Sequence, residues 1–164
     1  MIHEVAETEI RPDVVVLSVG GGGLMCGVIE GLHRQRWGHV PVLAVETKGA
    51  DSLATAVKAN QLTTIDSITS IATSLGATQV ASRAFELWQE HPVVSHVVSD
   101  RQALEGCQRF LDDHRALVEP ACGASLAAVY GNHPFLADKQ NILVIVCGGV
   151  GITQKEMNGW KYKV

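Results

Sequence analysis

A chain of 164 residues, 46% of them hydrophobic, is long enough to close one domain around a sizeable core. Its net charge of -4, with acids and bases interspersed and no basic stripe, argues against nucleic acid as a partner and leaves a small-molecule ligand. The longest apolar runs are too short to cross a bilayer and residues 2–7 are not a signal peptide, so a soluble, cytoplasmic protein with no membrane partner is expected.

Residues 1–9 carry Ile2, Val5 and Ala6 among acids and read as the last turns of a helix, broken at Arg11-Pro12-Asp13. Residues 14–19, VVVLSV, are β-branched and nearly all apolar, which predicts a strand buried on both faces of a parallel sheet. Glycines 20–23 follow at once. Leu24, Val28 and Leu32, four apart with Ile29 beside them, then set the apolar face of a helix over 24–36. Residues 40–46 form the next strand, and the resulting β-α-β unit makes two parallel neighbours. A short helix over 51–60 turns Leu53, Ala56 and Val57 inward. Residues 62–79, LTTIDSITSIATSLGATQ, have neither period and read as an irregular loop. A helix over 80–90 stops at His91-Pro92, a strand spans 94–98, and Ser99-Asp100-Arg101-Gln102 is a capping box opening a helix to His114. A small-residue helix follows over 123–131. A second fully apolar strand, 142–146, runs into Cys147-Gly148-Gly149, so both glycine loops emerge at the carboxyl edge of the sheet, where open α/β sheets take their ligands.

Four consecutive glycines cost backbone entropy that only a close approach to the main chain justifies. Strand, glycine turn and helix start together aim free N–H groups and the positive end of a helix dipole at one small volume, which suits a phosphate or carboxylate. A P-loop is excluded, because no Gly-Lys-Ser or Gly-Lys-Thr follows. The dinucleotide fingerprint fails at its third glycine, where Met25 or Cys26 stands, although Glu46 at the end of the next strand sits near where a ribose-binding acid would be. The four cysteines, 26, 107, 122 and 147, form no C-x-x-C pair and are read as reduced thiols without zinc. The seven histidines, scattered on loops and helix faces, are assigned surface or packing roles, and Trp37, Trp88 and Trp160 packing roles.

With these pieces in place the sequence resembles the serine dehydratase and serine dehydratase-like family of pyridoxal-phosphate enzymes. The stretches that carry the resemblance are SVGGGGLMCGV, VETKGADS, SITSIATSLGA, LVEPACGASLAAVY and LVIVCGG, in family order over nearly the whole chain. It implies an open, mostly parallel α/β sheet with flanking helices, the tryptophan-synthase-β-like (fold type II) architecture, with residues 1–164 forming the C-terminal part of the large cofactor-binding domain. It implies that Gly20, Gly21, Gly22, Gly23 and Leu24 hold the phosphate of pyridoxal 5'-phosphate, and that Cys147, followed by Gly148, meets the pyridine nitrogen. A monovalent cation, potassium, is implied at Gly20, Glu46, Ala50, Leu75 and Ala77, bound through main-chain carbonyls except for the Glu46 side chain. That would give the formless 62–79 segment a purpose, since carbonyls spent on a cation are not spent on regular structure. The implied reaction is β-elimination from L-serine or L-threonine to a 2-oxo acid and ammonia, in amino-acid metabolism, by a homodimer. A side chain at Gly22 is expected to fill the space of the phosphate oxygens.

One departure stands out. The family's Schiff-base lysine, in a Ser-x-Lys-x-Arg-Gly stretch, has no match: lysines 48, 58, 139, 155, 161 and 163 lie in loops or near the C-terminus without that context. The chain is therefore expected to be a fragment or truncated gene model covering the C-terminal half, with no catalytic residue of its own, an unprotected sheet edge and exposed apolar surface. The competing reading is a non-catalytic module that binds pyridoxal phosphate or a nucleotide, or that dimerises with a complete homologue.

Overall fold

The β-branched run at Val14–Ser18 (β1) is buried at every position and has a parallel partner on each side, as a two-faced apolar strand requires. The computed structural model describes residues 1–8 and 10–160. Three further strands, Val42–Thr47 (β2), Val93–Val98 (β3) and Ile142–Val144 (β4), complete a parallel sheet in the order β3-β2-β1-β4. Val15 lies opposite Val42 on one side and Leu143 on the other. The helices are Ile2–Ala6 (α1), Gly23–Arg34 (α2), Ser52–Ala59 (α3), Ser82–Glu90 (α4), Asp100–His114 (α5), Pro120–Tyr130 (α6) and Gln154–Trp160 (α7).

Alternation along β1 splits the core into two layers. Val15, Leu17 and Val19 pack with Met25, Ile29, Leu32, Leu53 and Leu87 of α2, α3 and α4. Val14 and Val16 face the other way, onto Ala121, Ala124 and Ala128 of α6. Small residues let α6 lie close to the sheet and to α5, where Gly106 and Gly123 stand in backbone contact: a Cβ on Gly123 would run into Ala103 O, and one on Gly106 would sit 2.6 Å from Gly123 O. A third cluster joins Cys107, Cys122, Ile152 and Met157 under α7.

Several boundaries differ from the sequence expectation for identifiable reasons. The small-residue helix begins at Pro120, because proline lacks the amide that a first helical residue leaves unused. The last strand ends at Val144, and Val146 is exposed. Within 62–79 a single 3-10 turn, Thr73–Leu75, interrupts the loop. Helix α7 gave no sequence signal, since Gly159 and its few apolar positions set no period. Lys58 belongs to the last turn of α3 and not to a loop, and His96 lies on β3. The capping box is present in full: the Gln102 amide donates to Ser99 Oγ at 3.2 Å and the Ser99 amide to Gln102 Oε1 at 2.9 Å. Glu9, Lys161 and Lys163 lie outside the described residues.

Candidate functional site

The glycine loop leaves the end of β1, and its geometry explains its composition. The Val19 amide still donates to Val45 O at 2.9 Å, but among the described residues the amides of 20–25 donate to no protein acceptor; pairing resumes only when Cys26 donates to Gly22 O at 2.9 Å. These open donors surround the start of α2, with Gly22 as its N-cap at φ 89°. Gly20 lies against the 73–75 turn, where a Cβ would be 3.1 Å from Leu75 Cα, and the Gly21 carbonyl accepts from the Ala81 amide at 3.0 Å. The main chain, not side chains, walls this side of the site.

Gly22 corrects one expectation. A Cβ there would be driven into Ala84 Cβ and would lie 3.0 Å from Val80 Cγ2, so the direction is toward α4 and away from the space in front of the amides. Its glycine is needed for backbone angle and packing. Gly23, where a Cβ meets nothing within 4 Å, is the position at which a side chain enters free space.

A cavity of about 280 Å³ opens over the loop, lined by residues 18–24 with Ser74, Leu75, Glu119, Ala121 and Cys147. Larger hollows of about 550 and 470 Å³ lie along the outer face of α5 and between α1 and α2. Volume does not locate the site: the α5 hollow meets none of the loop residues with open amides, and the α1–α2 hollow meets only Gly23 and Leu24. Cys147 reaches the cavity from β4: the Ile145 amide donates to Val16 O at 2.9 Å, holding the segment beside β1, and Gly148 at φ 150° turns the chain. Gly149 then passes so close to Leu117 O that no side chain fits. The exposed Cys147 thiol and the open amides thus face one volume. Glu119, to which the sequence assigned no role, is the N-cap residue of α6, lines the same cavity and donates its amide to Gly148 O at 3.1 Å. Only its place before Pro120 hinted at a helix start. Among the described residues no lysine lines the cavity.

The five positions named for a cation fall into two neighbouring groups. Gly20, Leu75 and Ala77 are adjacent through the loop contacts, and the Ala77 amide donates to Leu75 O at 2.7 Å. Glu46 lies near the end of β2, just past the Ser18–Val45 pair, and Ala50 in the turn that follows, bridged to Thr47. Glu46 is fully buried, and its two carboxylate oxygens accept the amides of Leu53 at 2.8 Å and Ala54 at 2.7 Å at the start of α3. Burial pushes its carboxyl up to about 7, against the pull of those two amides. So placed, Glu46 is closed to a ribose hydroxyl, and the dinucleotide alternative loses its acid. Ser52 Oγ, at the first residue of α3, is buried with no hydrogen-bond partner among the described residues.

An open parallel sheet carrying a glycine loop, a helix N-terminus and unpaired amides at its carboxyl edge defines a domain that binds a phosphate-bearing cofactor. The chain belongs to the pyridoxal-phosphate dependent enzyme family, whose model matches residues 1–148. It is 44% identical over 166 residues to L-serine dehydratase/L-threonine deaminase of Bos taurus, covering 96% of this chain and 51% of the relative. To serine dehydratase-like of Rattus norvegicus it is 46% identical over 173 residues, covering 98% and 52%. Among solved structures, a fungal L-serine ammonia-lyase from Rhizomucor miehei superimposes with a TM-score of 0.93 at 34% identity, over 99% of this chain and 54% of that one. The chain spans about half the length of the curated relatives it matches.

Proposed function

We propose that this chain holds pyridoxal 5'-phosphate as part of an L-serine and L-threonine ammonia-lyase, with potassium bound beside the cofactor. One observation carries the reading: among the described residues the amides of 20–25 have no protein acceptor, and residues 20–24 line a cavity that Cys147 faces from the neighbouring strand. The two named relatives and the fungal structure supply the reaction class. When bound, the cofactor supplies the electron sink for β-elimination from a small amino acid. The chain's own part is to bind and orient it. Open amides and the α2 dipole hold a phosphate dianion, each charge-assisted bond contributing about 1.5–3 kcal/mol. Cys147 presents a weak thiol donor to the ring nitrogen and cannot share a proton with it as a carboxylic acid would.

For the cation, the donor set fits a hard monovalent ion: main-chain oxygens of Gly20, Ala50, Leu75 and Ala77 with the Glu46 carboxylate. A buried carboxylate whose proton affinity is raised is the environment that a bound cation relieves. The homodimeric assembly and cytoplasmic setting implied by the resemblance belong to the same proposal.

Titrating pyridoxal phosphate into the chain, with inorganic phosphate as competitor and a nicotinamide dinucleotide in parallel, tests the reading. Saturable binding of pyridoxal phosphate, displaced by phosphate, is the expected result. Binding that phosphate leaves untouched, or preference for the dinucleotide, overturns it.

A further inference from the structure

Two cysteines far apart in sequence meet behind the glycine loop. Cys122 is fully buried in the first turn of α6, and its Sγ accepts the Cys147 amide at 2.9 Å. An amide this close to Cys122 Sγ brings the Cys147 side chain alongside that sulfur. Cys147 is exposed, so one member of the pair is open to a reagent and the other stands directly behind it. The backbone holds this arrangement: Glu119 donates its amide to Gly148 O at 3.1 Å, and Gly149 is pressed against Leu117 O.

The other two thiols are placed differently. Cys107 is buried and burial pushes it up to about 12, while Cys26 is half-buried on α2 and raised in the same way. Cys122 is held down, because the Cys147 thiol and the amides of Cys147 and Gly148 favour its thiolate against the opposing effect of burial. Cys147 correspondingly keeps its proton. Among the described residues these thiols belong to no group of three metal-ligating side chains, which leaves sulfur redox chemistry as what the pair can do.

We propose that Cys122 and Cys147 form an oxidation site, closing reversibly to a disulfide when a low-molecular-weight disulfide supplies the oxidising equivalents. Cys147 Sγ attacks one sulfur of the reagent as its proton passes to Cys122, and the first thiolate leaves. Cys122 then gives that proton to the departing thiolate and attacks Cys147 Sγ, expelling the second thiolate, which takes a proton from water. Two protein thiols are oxidised and one reagent disulfide is reduced to two thiols. Because Cys147 also lines the 280 Å³ cavity, the oxidised form presents there a sulfur without its S–H.

The test exposes the folded chain to oxidised glutathione, quenches with acid, alkylates the remaining thiols and maps the peptides. Expected is a loss of two hydrogen masses, protection of two of the four thiols, one cross-link joining the Cys122 and Cys147 peptides, and reversal by dithiothreitol. Cys122→Ser should stop at one glutathionyl adduct on Cys147, and Cys147→Ser should form neither adduct nor cross-link. A wild-type chain that halts at the Cys147 adduct, or a cross-link through Cys26 or Cys107, overturns the proposal. The wild-type map decides this even where a variant does not fold, and no cofactor enters the measurement.

Discussion

Replacing Gly22 with alanine should cost the fold, while the same change one residue later should not. At φ 89° an L side chain pays about 1–2 kcal/mol for the left-handed region. The new Cβ also presses on Ala84 and Val80 in a packed core, an overpacking that typically costs about 1–3 kcal/mol. The reduced freedom of the unfolded chain returns about 0.4–1 kcal/mol, leaving a net loss of roughly 2–4 kcal/mol. In urea, with a slope of about 2 kcal/mol per molar, the middle of the range for a small domain, the midpoint should fall by about 1–2 M. Trp37 and Trp88 pack against the same cluster as Ala84, so their fluorescence follows the transition. Gly23→Ala is the matched control: its Cβ is in open space at the first residue of α2, and better helix propensity should leave stability within about 1 kcal/mol of wild type, on the favourable side. Coincident melts for Gly22→Ala and wild type, or an equal loss in both variants, would refute the reasoning.

Assayed with L-serine in the presence of pyridoxal phosphate, the isolated chain should form no pyruvate above a heat-killed control, because among the described residues no lysine lines the cavity; turnover would contradict this. Glu46→Gln should lower stability by about 1–3 kcal/mol, since one of the Leu53 and Ala54 amides then faces an NH₂ group. Potassium, compared with choline, should raise the melting temperature of wild type but not of Glu46→Gln; an equal rise in both would remove Glu46 from the cation site. His91 is buried with its ring donating to Val40 O at 2.9 Å and accepting from His33, and burial lowers its proton affinity. The unfolded chain therefore takes the proton first, so stability is full above about 6.5 and is lost as pH falls below it. His91→Gln should flatten that acid-side decline in a series of melts, and an unchanged slope would count against the buried neutral ring.

The sheet and its glycine loop could be read from sequence because each rests on a local pattern: a two-faced apolar run at 14–19, four glycines directly after it, and a four-residue apolar spacing beyond them. Both strand-end loops at one edge followed from reading the two apolar strands as parallel. What could not be read depends on contacts between distant segments. Nothing near Gly22 in sequence reveals that Ala84 fills the space beside it, and nothing local to Cys122 shows the Cys147 amide on its sulfur. The same holds for the His33–His91 and His96–His133 ring contacts, at centroid separations of 5.2 and 4.3 Å. Glu46 was legible as an acid at a strand end, but its role as acceptor for the α3 amides emerges only once β2 and α3 are joined by a tight turn.

The pairing of β1 with β4 sets a clock for biosynthesis. Asp13, which leads into β1, accepts the amide of Asn141, which leads into β4, across 128 residues of chain. At about 5–20 residues per second, a ribosome needs roughly 6–25 s to deliver the second partner after the first has emerged. During that interval β2 can already cover one side of β1, but the other edge offers the main-chain groups of three consecutive valines to any strand nearby. When β4 arrives it contributes three half-buried residues, a short closure for so long a wait. Yield of folded chain should thus depend on how crowded the nascent chains are, and slower initiation or lower temperature during expression should favour it.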